Sequence, residues 1–417
     1  MSRLNCSAAA ALAACALLVP AWGSPVRAAF DARDVFKLEA SSRGAASANE
    51  RNLAQGAVLE LRHKDDAAIV ALKRMLRPHV PGELRSPACG ALADIYLRQS
   101  RFADMKAALE CVKSASHKPL AGEMLQNYET AALLAHEKPM QLAHPAAGKL
   151  DVTRDLAGLI RVPVEINGKA QDAVVDTGAG FSTISESAAA RLGVRVLEKG
   201  TTIKSSSIAD LPIHLGLADK LTIGDAEFSN VVFVVLPDVA LTFAGGKFKI
   251  DAVIGLPVML PLGRIEVADE GGKDYLYYGH RTGEAAATES NLILGGVEPF
   301  VLVYAEKARG VMRLFVDSGG TESVLNATAV KDFPALAEGA AAGEWRWEGA
   351  GGAAKDTKAL TLSELRFTIA GRTCVLRKVS VLSDPEADQD GMIGLDVLRQ
   401  GKRWILDFDS MSLVVAD

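Results

Sequence analysis

The sequence predicts a mainly β protein, duplicated within one chain and preceded by an N-terminal all-α helical domain. Three observations carry this. Asp176-Thr177-Gly178 and Asp317-Ser318-Gly319 are two copies of one motif, each behind an apolar run, Ala173-Val174-Val175 and Leu314-Phe315-Val316. Each copy is answered downstream by an apolar-apolar-Gly step, with Gly255 79 positions after Asp176 and Gly394 77 positions after Asp317. Near Leu159 the texture changes, from apolar residues three and four apart to short alternating runs broken by Gly, which is a change from helical to strand periodicity.

The first 29 residues read as a signal peptide: Arg3 gives a positive start, residues 8–19 are apolar, and Val26-Arg27-Ala28-Ala29 offers small residues for cleavage. The apolar run is too short to span a bilayer, and no other stretch is long and apolar enough, so no transmembrane span is expected. An exported chain, in a bacterial periplasm or secreted, is the expectation. Leu12-Ala13-Ala14-Cys15 also fits lipid attachment at Cys15, but Ala16-Leu17-Leu18-Val19 continues the apolar run and favours ordinary cleavage.

Residues 30–140 are predicted helical, broken at Pro78 and Pro81-Gly82. A hairpin is expected over 88–99 and 102–113, turning at Ser100-Arg101, with a further helix over 120–135. This arrangement puts Cys89 and Cys111 at the same open end of the pair, where a disulfide can form in an oxidising compartment; two buried thiols are the alternative. Leu92-Ala93-Asp94-Ile95-Tyr96 followed by Ala107-Ala108-Leu109-Glu110 resembles a tetratricopeptide unit, although Met105 stands where that family usually has Ala. The resemblance implies a protein partner for the helical domain, against the plainer reading of a bundle without a ligand. Residues 141–151 read as a linker. The two repeated units then occupy 152–280 and 291–417, joined by a Gly-, Ala- and Thr-rich stretch over 281–290. In the first unit, Ile160-Arg161-Val162-Pro163-Val164-Glu165-Ile166 alternates and Asn167-Gly168 turns it back towards Asp176.

Charge and composition exclude several classes of function. The chain carries net −5, yet residues 30–150 hold 17 Lys+Arg against 14 Asp+Glu, so the repeated part is clearly acidic. An acidic surface repels phosphate, which argues against a nucleic-acid partner. The seven His are scattered, and no metal, nucleotide or serine-nucleophile motif is present, so neither metal nor cofactor is expected.

One Asp before Gly is most simply a capped turn. Two in matching contexts form a pair that can share a proton and activate a water between them. The repeated motif resembles those of the retropepsin-like and pepsin-like aspartic peptidases, over residues 152–417. The resemblance implies a bilobal aspartic-peptidase fold of tandem retropepsin-like β-barrel lobes, and an endopeptidase acting on peptide or protein substrates. It implies Asp176 and Asp317 as catalytic residues. Thr177 and Ser318 would bond across the lobe interface beneath them, Gly178 and Gly319 would let backbone approach the carboxylates, and Gly255 and Gly394 would pack beside the two loops. It also implies substrate flaps. In the second lobe these are Gly349, Gly351 and Gly352, flanked by Trp345 and Trp347; in the first, a stretch with Ser206 and Ser207 that lacks Gly and the flap Tyr of pepsin-like enzymes. Two alternatives stand beside the peptidase: a non-catalytic peptide- or partner-binding module, and a zymogen masked by its helical part.

Overall fold

The computed structural model describes residues 24–45, 47–203, 211–280, 290–345, 348–350, 352–353, 357–382 and 389–417. Residues 1–23 with Cys15, Ser206 and Ser207, the stretch 281–289, Trp347 and Gly351 lie outside the described residues.

The front part is helical. α1 (Pro25–Asp31), α2 (Val35–Gly44), α3 (Ala48–Leu61), α4 (Asp65–Lys73), α5 (Gly82–Arg98), α6 (Phe102–Ser116) and α7 (Gly122–Leu134) pack largely against their neighbours in sequence. α1 straddles Ala29, with Val26 and Ala29 both buried. α3 opens on a capping box in which Ser47 and Glu50 satisfy each other's backbone N–H. α5 starts six positions before the predicted 88, and so carries Pro87 inside it. A proline there cannot donate to the carbonyl four residues back. That carbonyl, Glu83 O, accepts instead from Arg27 of α1 at 3.2 Å, and the helix continues past the proline to Arg98.

α5 and α6 form an antiparallel hairpin closed by Ser100 in the left-handed region, φ 54°. Cys89 and Cys111 are bonded across it, with their Cα atoms 5.9 Å apart. The bridge closes a 22-residue separation. Replacing both cysteines by Ala should therefore lower stability by roughly 3 kcal/mol, read as a fall in the urea midpoint, with a steeper slope because the unfolded chain expands. An unchanged midpoint would show that the link constrains nothing in the unfolded chain.

Behind the helices come two closed β-rings of identical plan. In the first, Ile160–Ile166, Lys169–Val175, Ala252–Ile254, Ser182–Ser185, Ala226–Leu236 and Leu211–Ile223 pair in that order, and the last pairs back to the first. In the second, the order is Glu298–Ala305, Gly310–Val316, Gly391–Ile393, Val324–Asn326, Arg372–Leu382 and Thr357–Ile369, again closing on the first. Parallel and antiparallel pairings fall at the same steps in both. Closure leaves few unpaired edges. A five-stranded sheet joins the rings: Gly148–Asp151, Asp274–Tyr278, Arg264–Asp269, Arg403–Asp407 and Ser412–Ala416, with Arg264–Asp269 crossing to Arg403–Asp407. The stretch read as a linker thus supplies strands, Gly148–Asp151 here and Gln141–Leu142 on the edge of the first ring.

The chain as a whole is mixed in content rather than mainly β, because seven helices among the described residues precede the strands. The helices do not stand apart. Leu211, Ile213, Leu215, Leu217, Val232, Val234 and Leu236, on the outer face of the first ring, share one apolar cluster with helical residues such as Leu53, Leu72, Leu92 and Leu109. The interior of both rings forms a second cluster.

Candidate active site

Each Asp loop begins where a ring strand ends. Val174-Val175 pairs in parallel with Val253-Ile254, and Asp176 N donates to Ile254 O at 3.1 Å. The second ring repeats this: Phe315-Val316 pairs with Met392-Ile393, and Asp317 N donates to Ile393 O at 3.0 Å. The apolar-apolar-Gly steps are thus the strands that hold the Asp loops. Gly255 and Gly394 end those strands, and a Cβ on either would stand 2.6 Å from Ala179 O or 2.7 Å from Gly320 O. No side chain fits so close to backbone, which is why Gly occupies both places.

The loops meet between the rings. Thr177 Oγ1 donates to Val316 O at 2.7 Å and accepts from Ser318 N at 2.9 Å. Ser318 Oγ donates to Val175 O at 2.9 Å and accepts from Thr177 N at 3.0 Å. Both side chains are fully buried. The four bonds tie each loop to the other ring, so that the relative position of the two carboxylates is fixed from beneath. Asp176 Oδ1 accepts from Gly178 N at 2.8 Å, and Asp317 Oδ1 accepts from Gly319 N at 2.8 Å and Gly320 N at 3.0 Å. A Cβ on Gly178 would lie 2.6 Å from an Asp317 oxygen, and one on Gly319 2.4 Å from the Asp176 carboxyl carbon. Bare backbone is what lets the two carboxylates approach.

The two carboxyl groups are in hydrogen-bonding contact with each other. Burial raises the pKa of Asp176, although the bond from Asp317 and the backbone N–H groups pull it back. Burial raises Asp317 well above the usual carboxylate range, and the neighbouring negative charge of Asp176 adds to it. Like charges in contact cannot both ionise cheaply, so the pair titrates as a unit that keeps one proton.

Ser182 and Ser323 belong to the site and were missed in the sequence. Each hydroxyl accepts the N–H of the distal Gly, Gly255 at 3.1 Å and Gly394 at 2.9 Å. The signal was there: both serines stand six positions after their Asp. Thr177→Ala should cost about 2–4 kcal/mol, because it orphans the buried Val316 carbonyl and Ser318 N–H. Thermal melting checks this; lost activity at unchanged stability would instead give the hydroxyl a role in the chemistry.

The remaining predicted residues lie further out. Glu348–Gly349 and Gly352–Ala353 form a short hairpin, with Gly352 at φ 118°. It packs against Asp238–Leu241 of the first ring, so it bridges from one ring to the other. Trp345, partly buried, ends the strand Ala341–Trp345 that leads into it. A cavity of about 610 Å³ opens elsewhere, between His63, Asp65, Arg98, Met140 and Leu260, and none of its lining residues is in either Asp loop.

The aspartyl protease family model matches residues 162–258, which contain the first Asp loop, Ser182 and Gly255. No curated protein matches the chain at a significant level.

Proposed function

We propose that this chain is an aspartic endopeptidase whose two rings are retropepsin-like lobes, each supplying one catalytic Asp. The observation that carries the reading is the reciprocal bonding of Thr177 and Ser318 beneath two carboxyl groups in contact. A pair that keeps one proton has a base and an acid side by side. One carboxylate takes a proton from water, the other polarises the scissile carbonyl and donates its proton to the developing oxyanion, and no covalent intermediate is needed. The amide nitrogen then takes a proton as the C–N bond breaks. The hairpin carrying Gly349 and Gly352 crosses from the second ring to the first, a position suited to bonding an extended peptide through its backbone. The apolar amino terminus and the Cys89–Cys111 bond support export to an oxidising compartment.

Digestion of a peptide library by the purified chain, with and without pepstatin, tests this. Pepstatin-sensitive cleavage is expected, and no cleavage of any peptide across the pH range would remove the reading. The rate should peak at mildly acidic to neutral pH. Catalysis needs the singly protonated pair, and burial raises both pKa values, which moves that window upward. Below it both groups are protonated and the base is lost; above it the acid is lost. Ala179 and Gly320 offer no side-chain donor to lower the pair again. A rate profile peaking only in strong acid would contradict this account.

A further inference from the structure

We propose that Arg98, in the helical domain, is a positioning residue for the first Asp loop, acting through the turn Gly295–Val297 on Gly180. The proposal rests on the reading of Asp176 and Asp317 as a hydrolytic pair.

Arg98 ends α5 and is 3% exposed. Its guanidinium is satisfied on every side. Nε donates to Asp65 at 2.9 Å, one terminal nitrogen to Asp65 at 2.6 Å and Glu60 O at 3.1 Å, and the other to Glu60 Oε1 at 3.0 Å and Gly296 O at 3.0 Å. Five donors in a rigid fork with five acceptors admit one orientation. Four of those acceptors lie in the helical domain and fix the fork there. The fifth, Gly296 O, belongs to the hairpin that opens the second ring, between Leu292–Gly295 and Glu298–Ala305. The turn is bare on the side facing the helices: a Cβ on Gly295 would stand 2.7 Å from Arg33, and Gly296 has φ 61°. Arg33 adds a second hold, an ion pair to Glu298 at 3.5 Å.

The next residue carries the hold to the site. Val297 Cγ2 lies 2.8 Å from where a Cβ on Gly180 would be, so the valine rests on the bare backbone of the first Asp loop. Gly180 is two residues beyond Gly178, whose N–H bonds Asp176. A turn that drifts would free Gly180, and with it the loop that aims Asp176 at its partner. The corresponding position of the second loop is Thr321, which is exposed rather than covered by a residue that the helices hold. The effect of Arg98 should therefore be confined to one loop. A buried ion network contributes little net stability but does fix geometry, which suits a positioning role. Lysine cannot reproduce the fork, since it is a point charge with three donors.

The test is Arg98→Lys in the full chain, read by amide hydrogen exchange and by peptide cleavage. Exchange should accelerate at least tenfold over 178–181 and 295–298, with 318–322 unchanged, and kcat should fall about tenfold or more with KM little altered. Exchange that is unchanged over 178–181, or that rises equally in both loops, would overturn the proposal. Should Arg98→Lys fail to fold, Val297→Ala removes the brace without disturbing the buried charges, and the same one-sided pattern decides. The two readings fail separately. If the unaltered chain cleaves nothing, the peptidase reading falls while exchange still reports on Arg98; if it cleaves and the folded variant matches it in kcat and exchange, Arg98 alone is wrong.

Discussion

Asp176→Asn and Asp317→Asn should each reduce peptide cleavage by about 10³-fold or more while leaving the fold intact, since positioned proton transfer alone contributes on the order of 10²–10⁴. An amide is nearly the same shape as a carboxyl group but cannot take a proton from water or exchange one with its neighbour. The stability effect should run the other way. The pair is buried, and the charge of Asp176 drives Asp317 away from ionisation. Replacing either acid by a neutral amide removes that repulsion, so the melting temperature should hold or rise at neutral pH. Loss of activity together with unfolding would mean that the carboxyl groups are structural. Full activity in either variant would remove the assignment. A useful contrast is Thr177→Ala, where the expected order is reversed: stability suffers first, because the hydroxyl binds Val316 O and Ser318 N rather than the reacting atoms.

The pair was legible because it is repeated. A single Asp-Thr-Gly says little, but a second copy with a Gly at nearly the same distance predicts two loops in equivalent surroundings, and the parallel pairings of Val174-Val175 and Phe315-Val316 are what that distance encodes. The serines at Ser182 and Ser323 were equally visible in the spacing; they went unread because a hydroxyl in a strand has no local signature until its N–H partner, far along the chain, is known. α5 was read too short because Pro81-Gly82 looks like a break that delays the helix to 88, whereas Gly82 itself opens the helix and Pro87 is carried inside it. The seat of the helical domain also had a signal. Val231-Val232-Phe233-Val234-Val235-Leu236 is buried without interruption. A strand with one wet face alternates, whereas an unbroken apolar run means that both faces are covered. Its counterpart in the second ring, Arg372–Leu382, does alternate, with Arg377 and Lys378 exposed. The helices also touch the second ring, at Ile293 and Phe300, but the broad apolar face lies on the first, and that difference between the two copies is written in these two strands.

That asymmetry sets the second large expectation: a chain lacking residues 24–138 should not fold to a soluble monomer. The outer face that the helices cover includes Leu211, Ile213, Leu215, Leu217, Val232, Val234 and Leu236, each at most 7% exposed. Burying one such side chain contributes about 1.5–3 kcal/mol, so uncovering them together forfeits on the order of 10–20 kcal/mol. The whole stability of a domain is about 5–15 kcal/mol, and the loss is of the same size. The masked-zymogen reading requires the opposite, a helical part that leaves an intact and active remainder when removed. Expression of the shortened chain separates the two. Aggregation, or a soluble fraction without a cooperative melt, is expected. A soluble product that melts cooperatively and cleaves peptides faster than the full chain would make the helical domain a releasable inhibitor. The polar contacts agree with the apolar ones: Arg62 reaches Ser290 and Leu292, and Arg98 reaches Gly296. Removing the helices strips those bonds from the entry to the second ring as well as the cover from the first, so the damage should extend to both sides of the Asp pair.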